Sequence, residues 1–212
     1  MGLDLETDPV AAGFVKSLGQ PGRNVTGVFL DFPELSGKWL QMLTVAVPKL
    51  SRVAVLWDPA TGPAHVKAAD VGAKRLRLRL QHLEARGPDD LDGAVRTATR
   101  ERAGAMLVLG SPFFNSSHKR IAELTNAARL PTIMPFPDFA RDGGLMAYGP
   151  NLKELYRQTC AMVVKVLAGS SPAVMPVERP TTFNLIVNLR TAKALDVVMP
   201  QSLLAGAHEI IQ

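Results

Sequence analysis

The chain reads as an α/β protein in which a parallel sheet is sandwiched by helices, and three observations carry that reading. Val53–Trp57 form a short, nearly continuous apolar run that ends abruptly at Asp58-Pro59. A run of this length, rich in β-branched residues and bounded by turn residues, is a strand buried on both faces. The arrangement recurs at Ala105–Pro112 and, more weakly, at Pro131–Pro135 and Gly144–Gly149. Helical patterns separate these runs, and such alternation implies a parallel sheet covered by helices. Ligands of open α/β sheets sit beyond the carboxyl ends of the strands, so those ends are where a functional site is expected.

The elements follow in order. The start, MGLDLETDPV, is acidic and polar and does not open on a strand of the usual kind. Asp8–Leu18 is expected as a helix, with Asp8 as cap, Pro9 at the first position and Val10, Phe14 and Leu18 at helical spacing. Gly19–Arg23 breaks it, and Asn24–Leu30 is a strand. Pro33–Val47 is a helix with Leu35, Trp39, Leu40, Leu43 and Val47 on one face, stopped by Pro48. After the Val53–Trp57 strand comes a helix over Ala64–Leu76, a strand near Leu78–Ala85 and a helix over Leu91–Arg102. Ala105–Leu109 is the next strand, and Asn115 or Ser116 caps a helix to Arg129. Strand Thr132–Met134, an irregular helical stretch over Phe136–Asp142 and strand Leu145–Tyr148 come next. Asn151–Leu167 has the strongest helical stripe, formed by Leu152, Leu155, Tyr156, Val163, Val166 and Leu167. A Pro-containing connector then leads to strand Phe183–Leu189, a short helix over Arg190–Leu195 and a terminal helix over Pro200–Gln212.

Composition narrows the function. With 212 residues, 47% hydrophobic and 20% charged, the chain has material for a real core. No apolar run approaches the roughly 20 residues that cross a membrane, and the first residues are not a secretory signal. The formal charge of +5 and pI near 9.6 invite a nucleic-acid reading. Only Lys74–Arg79 is dense in basic residues, and neither an aromatic nor a nucleic-acid motif accompanies it. That segment reads as a solvated helix end running into a strand, and no nucleic-acid partner is expected. Cys160 is the only cysteine, which excludes an internal disulfide and a cysteine zinc site; its helical setting suggests a small buried residue. His65, His82, His118 and His208 are scattered without metal-ligand spacing and read as surface residues. Asp58–Pro63 is neither a Walker loop nor a dinucleotide fingerprint, and Gly110-Ser111-Pro112 lacks a nucleophile elbow. No catalytic residue, metal site or cofactor is called for, and the chain is not read as an enzyme.

The strand ends instead supply Asp58 and Thr61, then Ser111, Phe113, Phe114 and Asn115, then Phe136 and Asp138, then Tyr148. A few polar groups among aromatics are what small-molecule sites are made of. The alternative is that Phe113, Phe114 and Phe136 merely cap the edge of the sheet.

Several longer strings carry a family resemblance: Thr7–Val28, Glu34–Pro59, Leu109–Phe114, Gly143–Gln158, Pro176–Leu195 and Met199–Ile211. Together they resemble bacterial ABC transporter substrate-binding proteins of the type I periplasmic-binding fold, in the subfamily of tryptophan- and tyrosine-type binding proteins. The resemblance implies two α/β lobes that clamp a small polar solute, an amino acid or a related molecule, for import. It implies an ABC permease as partner and a periplasmic or membrane-anchored location, although no export signal is read in this chain. Roughly the first hundred residues of the family have no counterpart, so one lobe is expected complete with remnants of the other. Residues 1–26 are expected as lobe-one remnant and hinge, 27–149 as lobe two, and 150–212 as crossover helix, strand and terminal helix. Self-association is expected through surfaces that would face lobe one.

By position, Thr7 and Asp8 match the lobe-one edge of the family's cleft, and Asp58–Thr61, Ser111–Phe114, Asp138 and Tyr148 match the lobe-two edge. The resemblance implies that Ser111 and Thr61 donate hydrogen bonds to the ligand. Phe114 or Tyr148 would pack on its apolar part, and Asp138 would accept from an amino group. A ligand-sensing effector domain of a regulatory protein is the alternative, since such regulators share the two-lobe fold; their N-terminal helix-turn-helix has no counterpart in the sequence.

Overall fold

A computed structural model describes the backbone of residues 2–4 and all of residues 8–212. The strands are β1 (Gly2–Asp4), β2 (Gly27–Phe29), β3 (Arg52–Trp57), β4 (Arg79–Glu84), β5 (Ala105–Val108), β6 (Thr132–Met134), β7 (Met146–Pro150), β8 (Phe183–Asn188) and β9 (Glu209–Ile211). The helices are α1 (Phe32–Ala46), α2 (Ala64–Leu76), α3 (Pro88–Arg100), α4 (Pro112–Ser116), α5 (His118–Ala127), α6 (Pro137–Arg141), α7 (Leu152–Leu167), α8 (Leu189–Ala194) and α9 (Gln201–Ala205). They fall into two compact units, one built from residues 1–32 and 150–183, the other from 33–149 and 184–212.

The larger unit holds a seven-stranded sheet in the order β4-β3-β5-β6-β7-β8-β9. From β4 to β7 all neighbours run parallel, as the buried apolar runs require. Asn188, at the end of β8, donates its N–H to the carbonyl of Leu145, just ahead of β7, so β8 returns antiparallel. Val53, Ala54, Val55 and Leu56 of β3 are fully buried, and so are all four residues of β5. Helix α1 buries Trp39, Leu40 and Leu43 of the expected face, with Ala46 beside them, while Leu35 and Val47 are only partly buried. It meets α2 at a glycine pair: a Cβ added at Gly72 would lie 2.9 Å from the Cα of Gly37.

The smaller unit pairs β1 with β2 in parallel, Gly2 opposite Gly27, so the acidic start contains a strand after all. Its pattern is too short to read from three residues. The helix expected over Asp8–Leu18 is a single turn. Asp8 Oδ1 accepts from the N–H groups of Val10 and Ala11. Gly13, at φ 73°, then closes the turn with Phe14 N–H to Pro9 O and Gly13 N–H to Val10 O. That bond pair is the Schellman ending of a helix, made possible by a glycine in the left-handed region. Helix α7 buries only Leu155 and Met162 among its described residues. Tyr156, Val163, Val164 and Leu167 are exposed, and so is Cys160, which was expected inside.

Three further expectations are corrected in the larger unit. The helix from Asn115 or Ser116 to Arg129 begins earlier, at Pro112 with Ser111 as its cap, and is broken at Ser117 into α4 and α5. The terminal helix stops at Gly206; β9 follows and pairs parallel with β8, Ile186 opposite Glu209. Its identity as a strand comes from that neighbour, not from local periodicity. His65 is buried in the first turn of α2, and His118 is half-buried, so neither is a surface residue.

Candidate functional site

The register of the sheet assembles the strongest cluster. Leu56 of β3 stands opposite Val108 of β5, so the segments leaving these strands run side by side. Asp58 caps the turn Pro59–Thr61, its Oδ1 accepting from the N–H of Ala60 at 2.9 Å. Ser111 caps α4, its Oγ accepting from the N–H of Phe113 at 3.1 Å. The same Ser111 hydroxyl donates to Asp58 Oδ2 at 2.6 Å. Asp58 is 8% exposed and Ser111 is fully buried. The result is a carboxylate pinned at both oxygens at the carboxyl end of the sheet. Each oxygen has lone-pair capacity left over, so the carboxylate can take a further donor.

Two role assignments change. A hydroxyl has one proton; that of Ser111 goes to Asp58, and that of Thr61 goes to the Asp58 carbonyl at 2.8 Å. In this arrangement neither donates outward, and both hold Asp58 in place. Phe113 and Phe114 flank the cluster, with ring centroids 5.0 Å apart; Phe114 is fully buried and Phe113 partly so.

The remaining candidates are placed as follows. Asp138, in the first turn of α6, is exposed and ion-paired with Arg141 at 3.3 Å; Arg141 also binds Glu209 at 2.8 Å. Phe136 is buried as the cap residue of α6. Tyr148 of β7 is partly buried, which pushes its phenol above the usual value, and its carbonyl accepts from Trp39 Nε1 at 2.7 Å. Asp8 caps its own turn in the smaller unit. Thr7 lies outside the described residues.

Sequence reading missed one pair. His118 Nε2 lies 2.7 Å from Asp142 Oδ2, and His118 Nδ1 lies 2.6 Å from the carbonyl of Asn115. The hydrogen bond from His118, with help from Lys119, holds the Asp142 carboxyl below its usual range. A group with a depressed native value stabilises the fold above its unfolded value and loses that contribution as pH falls through the native one. The acid limb of a thermal-melting pH profile is therefore expected to flatten in Asp142→Asn, the parent gaining on the variant as pH rises through the carboxylate range.

Among the described residues no group of three or more His, Cys, Asp or Glu is placed to hold a metal. No described helix is long and apolar enough to cross a membrane. A surface groove of about 790 Å³ lies between α3 and α5, and none of the candidate residues lines it.

Comparison with known proteins gives one consistent result. The family model described as ABC transporter substrate binding protein matches residues 4–211. A curated relative, the tyrosine-binding protein of Clostridioides difficile, is 27% identical over 194 residues, which cover 90% of this chain and 55% of that protein. The chain thus spans about half the length of that relative. A crystal structure of an ABC domain from Streptococcus pneumoniae in complex with L-Trp superposes with a TM-score of 0.87 at 24% identity, covering 97% of this chain and 71% of that one. A conserved domain protein from Vibrio cholerae gives a TM-score of 0.88 at 23% identity, covering 96% and 69%. At these identities the structural matches speak for the type I periplasmic-binding fold.

Proposed function

We propose that this chain, which belongs to the ABC transporter substrate-binding protein family, binds an aromatic amino acid and serves as the solute receptor of an importer. The observation that carries the reading is the Asp58 carboxylate, pinned by Ser111 and by the Ala60 N–H at the end of the sheet. A fixed and mostly buried carboxylate beside aromatic rings suits an ammonium group attached to an aromatic side chain. Phe113, whose N–H donates to the Ser111 hydroxyl, supplies ring surface, and Tyr148 supplies a polar tip on an apolar body. The names of the relatives agree in class: one is a tyrosine-binding protein, and the other was crystallised with L-Trp. Catalysis forms no part of this reading; the family is one of binding proteins. Delivery to a permease on the outer side of the cytoplasmic membrane follows from the family role.

Titration calorimetry against L-tryptophan, L-tyrosine, tryptamine and indole-3-propionate tests it. The two amino acids are expected to bind, and indole-3-propionate, which lacks the ammonium, to bind at least tenfold more weakly than L-tryptophan. A charged hydrogen bond contributes about 1.5–3 kcal/mol, hence a factor of about ten to a hundred. Equal affinity for indole-3-propionate and L-tryptophan would remove Asp58 from its role. Absence of binding by every compound would overturn the amino-acid reading.

A further inference from the structure

The ring of His118 is placed between two groups that can only accept. Nδ1 is 2.6 Å from the carbonyl oxygen of Asn115, and Nε2 is 2.7 Å from a carboxylate oxygen of Asp142. A neutral imidazole carries one N–H and so can make only one of these bonds; the imidazolium makes both. The ring is 17% exposed, so water does not readily replace a lost partner. The two groups it joins belong to different parts of the candidate site. Asn115 lies in α4, the helix that Ser111 caps and that carries Phe113 and Phe114. Asp142 ends α6, which follows β6 and carries Asp138.

We propose that His118 is a proton-operated clasp that ties α4 to the end of α6 when its ring carries both protons and releases α4 when it carries one. The direction of release follows from bond strength. A hydrogen bond to a carboxylate is stronger than one to a neutral carbonyl, so the neutral ring keeps Nε2–H on Asp142 and gives up Asn115. The Asp142 side is also anchored without the ring. The carbonyl of Gly143 accepts from Asn126 Nδ2 and from Thr191 Oγ1, each at 2.8 Å. The bonds at the carboxyl end of the five-residue α4, Ser117 N–H to the carbonyls of Phe113 and Phe114 and the Ser116 hydroxyl to that of Phe113 at 2.8 Å, all stay within α4 and its cap and do not reach α6.

The charged groups around the ring are consistent with this direction. Lys119 Nζ lies 3.8 Å from Asp142 Oδ2. On α6, Asp138 and Arg141 pair with each other, and Arg141 with Glu209 of β9. On α5, Arg120 is held by Asp92 and Glu123. Helix α4 brings no titratable side chain. Asp142 is therefore the charged partner that sets which proton is retained.

The effect of the clasp on ligand affinity rests on the reading above, but the clasp itself is read without ligand. Long-range proton–nitrogen NMR of the histidine rings, recorded between about pH 5 and 9, assigns the protons on His118. Amide spectra of residues 113–117 report on α4 in the same samples. Both ring nitrogens are expected protonated at the acid end. The neutral ring is expected as the Nε2–H tautomer, with the α4 amides shifting in step with its titration. In Asp142→Ala nothing favours Nε2, so the neutral ring can keep Nδ1–H on Asn115, and the α4 amides are expected to stop following the ring. A neutral ring that holds Nδ1–H in the unmodified protein would overturn the proposal. So would α4 amides that track the ring equally in both proteins, or in neither.

Discussion

Replacing Asp58 by asparagine is expected to weaken binding of L-tryptophan or L-tyrosine by about ten- to a hundredfold, the value of a hydrogen bond between charged partners. The amide keeps the shape of the side chain and can still accept from the Ala60 N–H or from Ser111. It loses the charge, and its NH2 group turns a donor toward a neighbour that is also a donor. Ser111→Ala separates position from charge. The alanine keeps the carboxylate but removes the hydroxyl that holds Oδ2 at 2.6 Å. Affinity is then expected to fall by a smaller factor, about tenfold, with a loss of stability of roughly 1–3 kcal/mol because a buried acceptor is left without its donor. Calorimetry with each variant, next to a denaturant titration, distinguishes the two effects. Unchanged affinity in Asp58→Asn would show that the ligand does not use this carboxylate.

The largest expected effect on stability is at Gly149. A Cβ built on this residue of β7 would lie 2.0 Å from the carbonyl oxygen of Pro135, far inside contact distance. The obstacle is backbone, so it cannot rotate away, and one strand end must move. Gly149→Ala is therefore expected to cost at least the 1–3 kcal/mol typical of overpacking, seen as a lower midpoint in urea. Because Pro135 leads into α6 and Gly149 follows Tyr148, the displaced strand ends carry candidate site residues, and affinity is expected to fall as well. Gly93→Ala is the control. It sits inside α3 with nothing within 4 Å of its added Cβ. There the helix propensity of alanine is unopposed, and a gain of up to about 1 kcal/mol is expected. A Gly149→Ala protein as stable as the parent would show that β6 and β7 do not meet this closely.

Local patterning was enough for much of the larger unit. The apolar run Val53–Trp57 named β3, and the spacing within Ala64–Leu76 named α2 to the residue. Both signals are periodicities that burial imposes along one segment, so a single segment suffices to read them. The candidate site was legible only as a set of strand ends, because chain direction and strand order fix where such ends gather. The roles of its hydroxyls were not. Ser111 and Asp58 are 53 residues apart, and only the β3–β5 register brings the donor to its acceptor. The same holds for His118 and Asp142, 24 residues apart, each of which reads alone as an ordinary polar residue.

The errors have the same origin. Gly13 ended a helix that Asp8, Pro9 and the apolar spacing had begun, because one left-handed residue outweighs a weak stripe. Residues 209–211 became a strand because β8 offered a free edge. Tyr156 sits on the helical stripe and Cys160 in the same helix, yet both are exposed, since a helical pattern marks what could be buried and the neighbouring element decides what is. Side-chain polarity along short segments was enough to set the α/β class, the buried strands and the sheet edge proposed for the site. Tertiary structure decided which proton meets which acceptor, because a hydrogen bond forms between groups within about 3 Å, and that proximity is set by strand order and register.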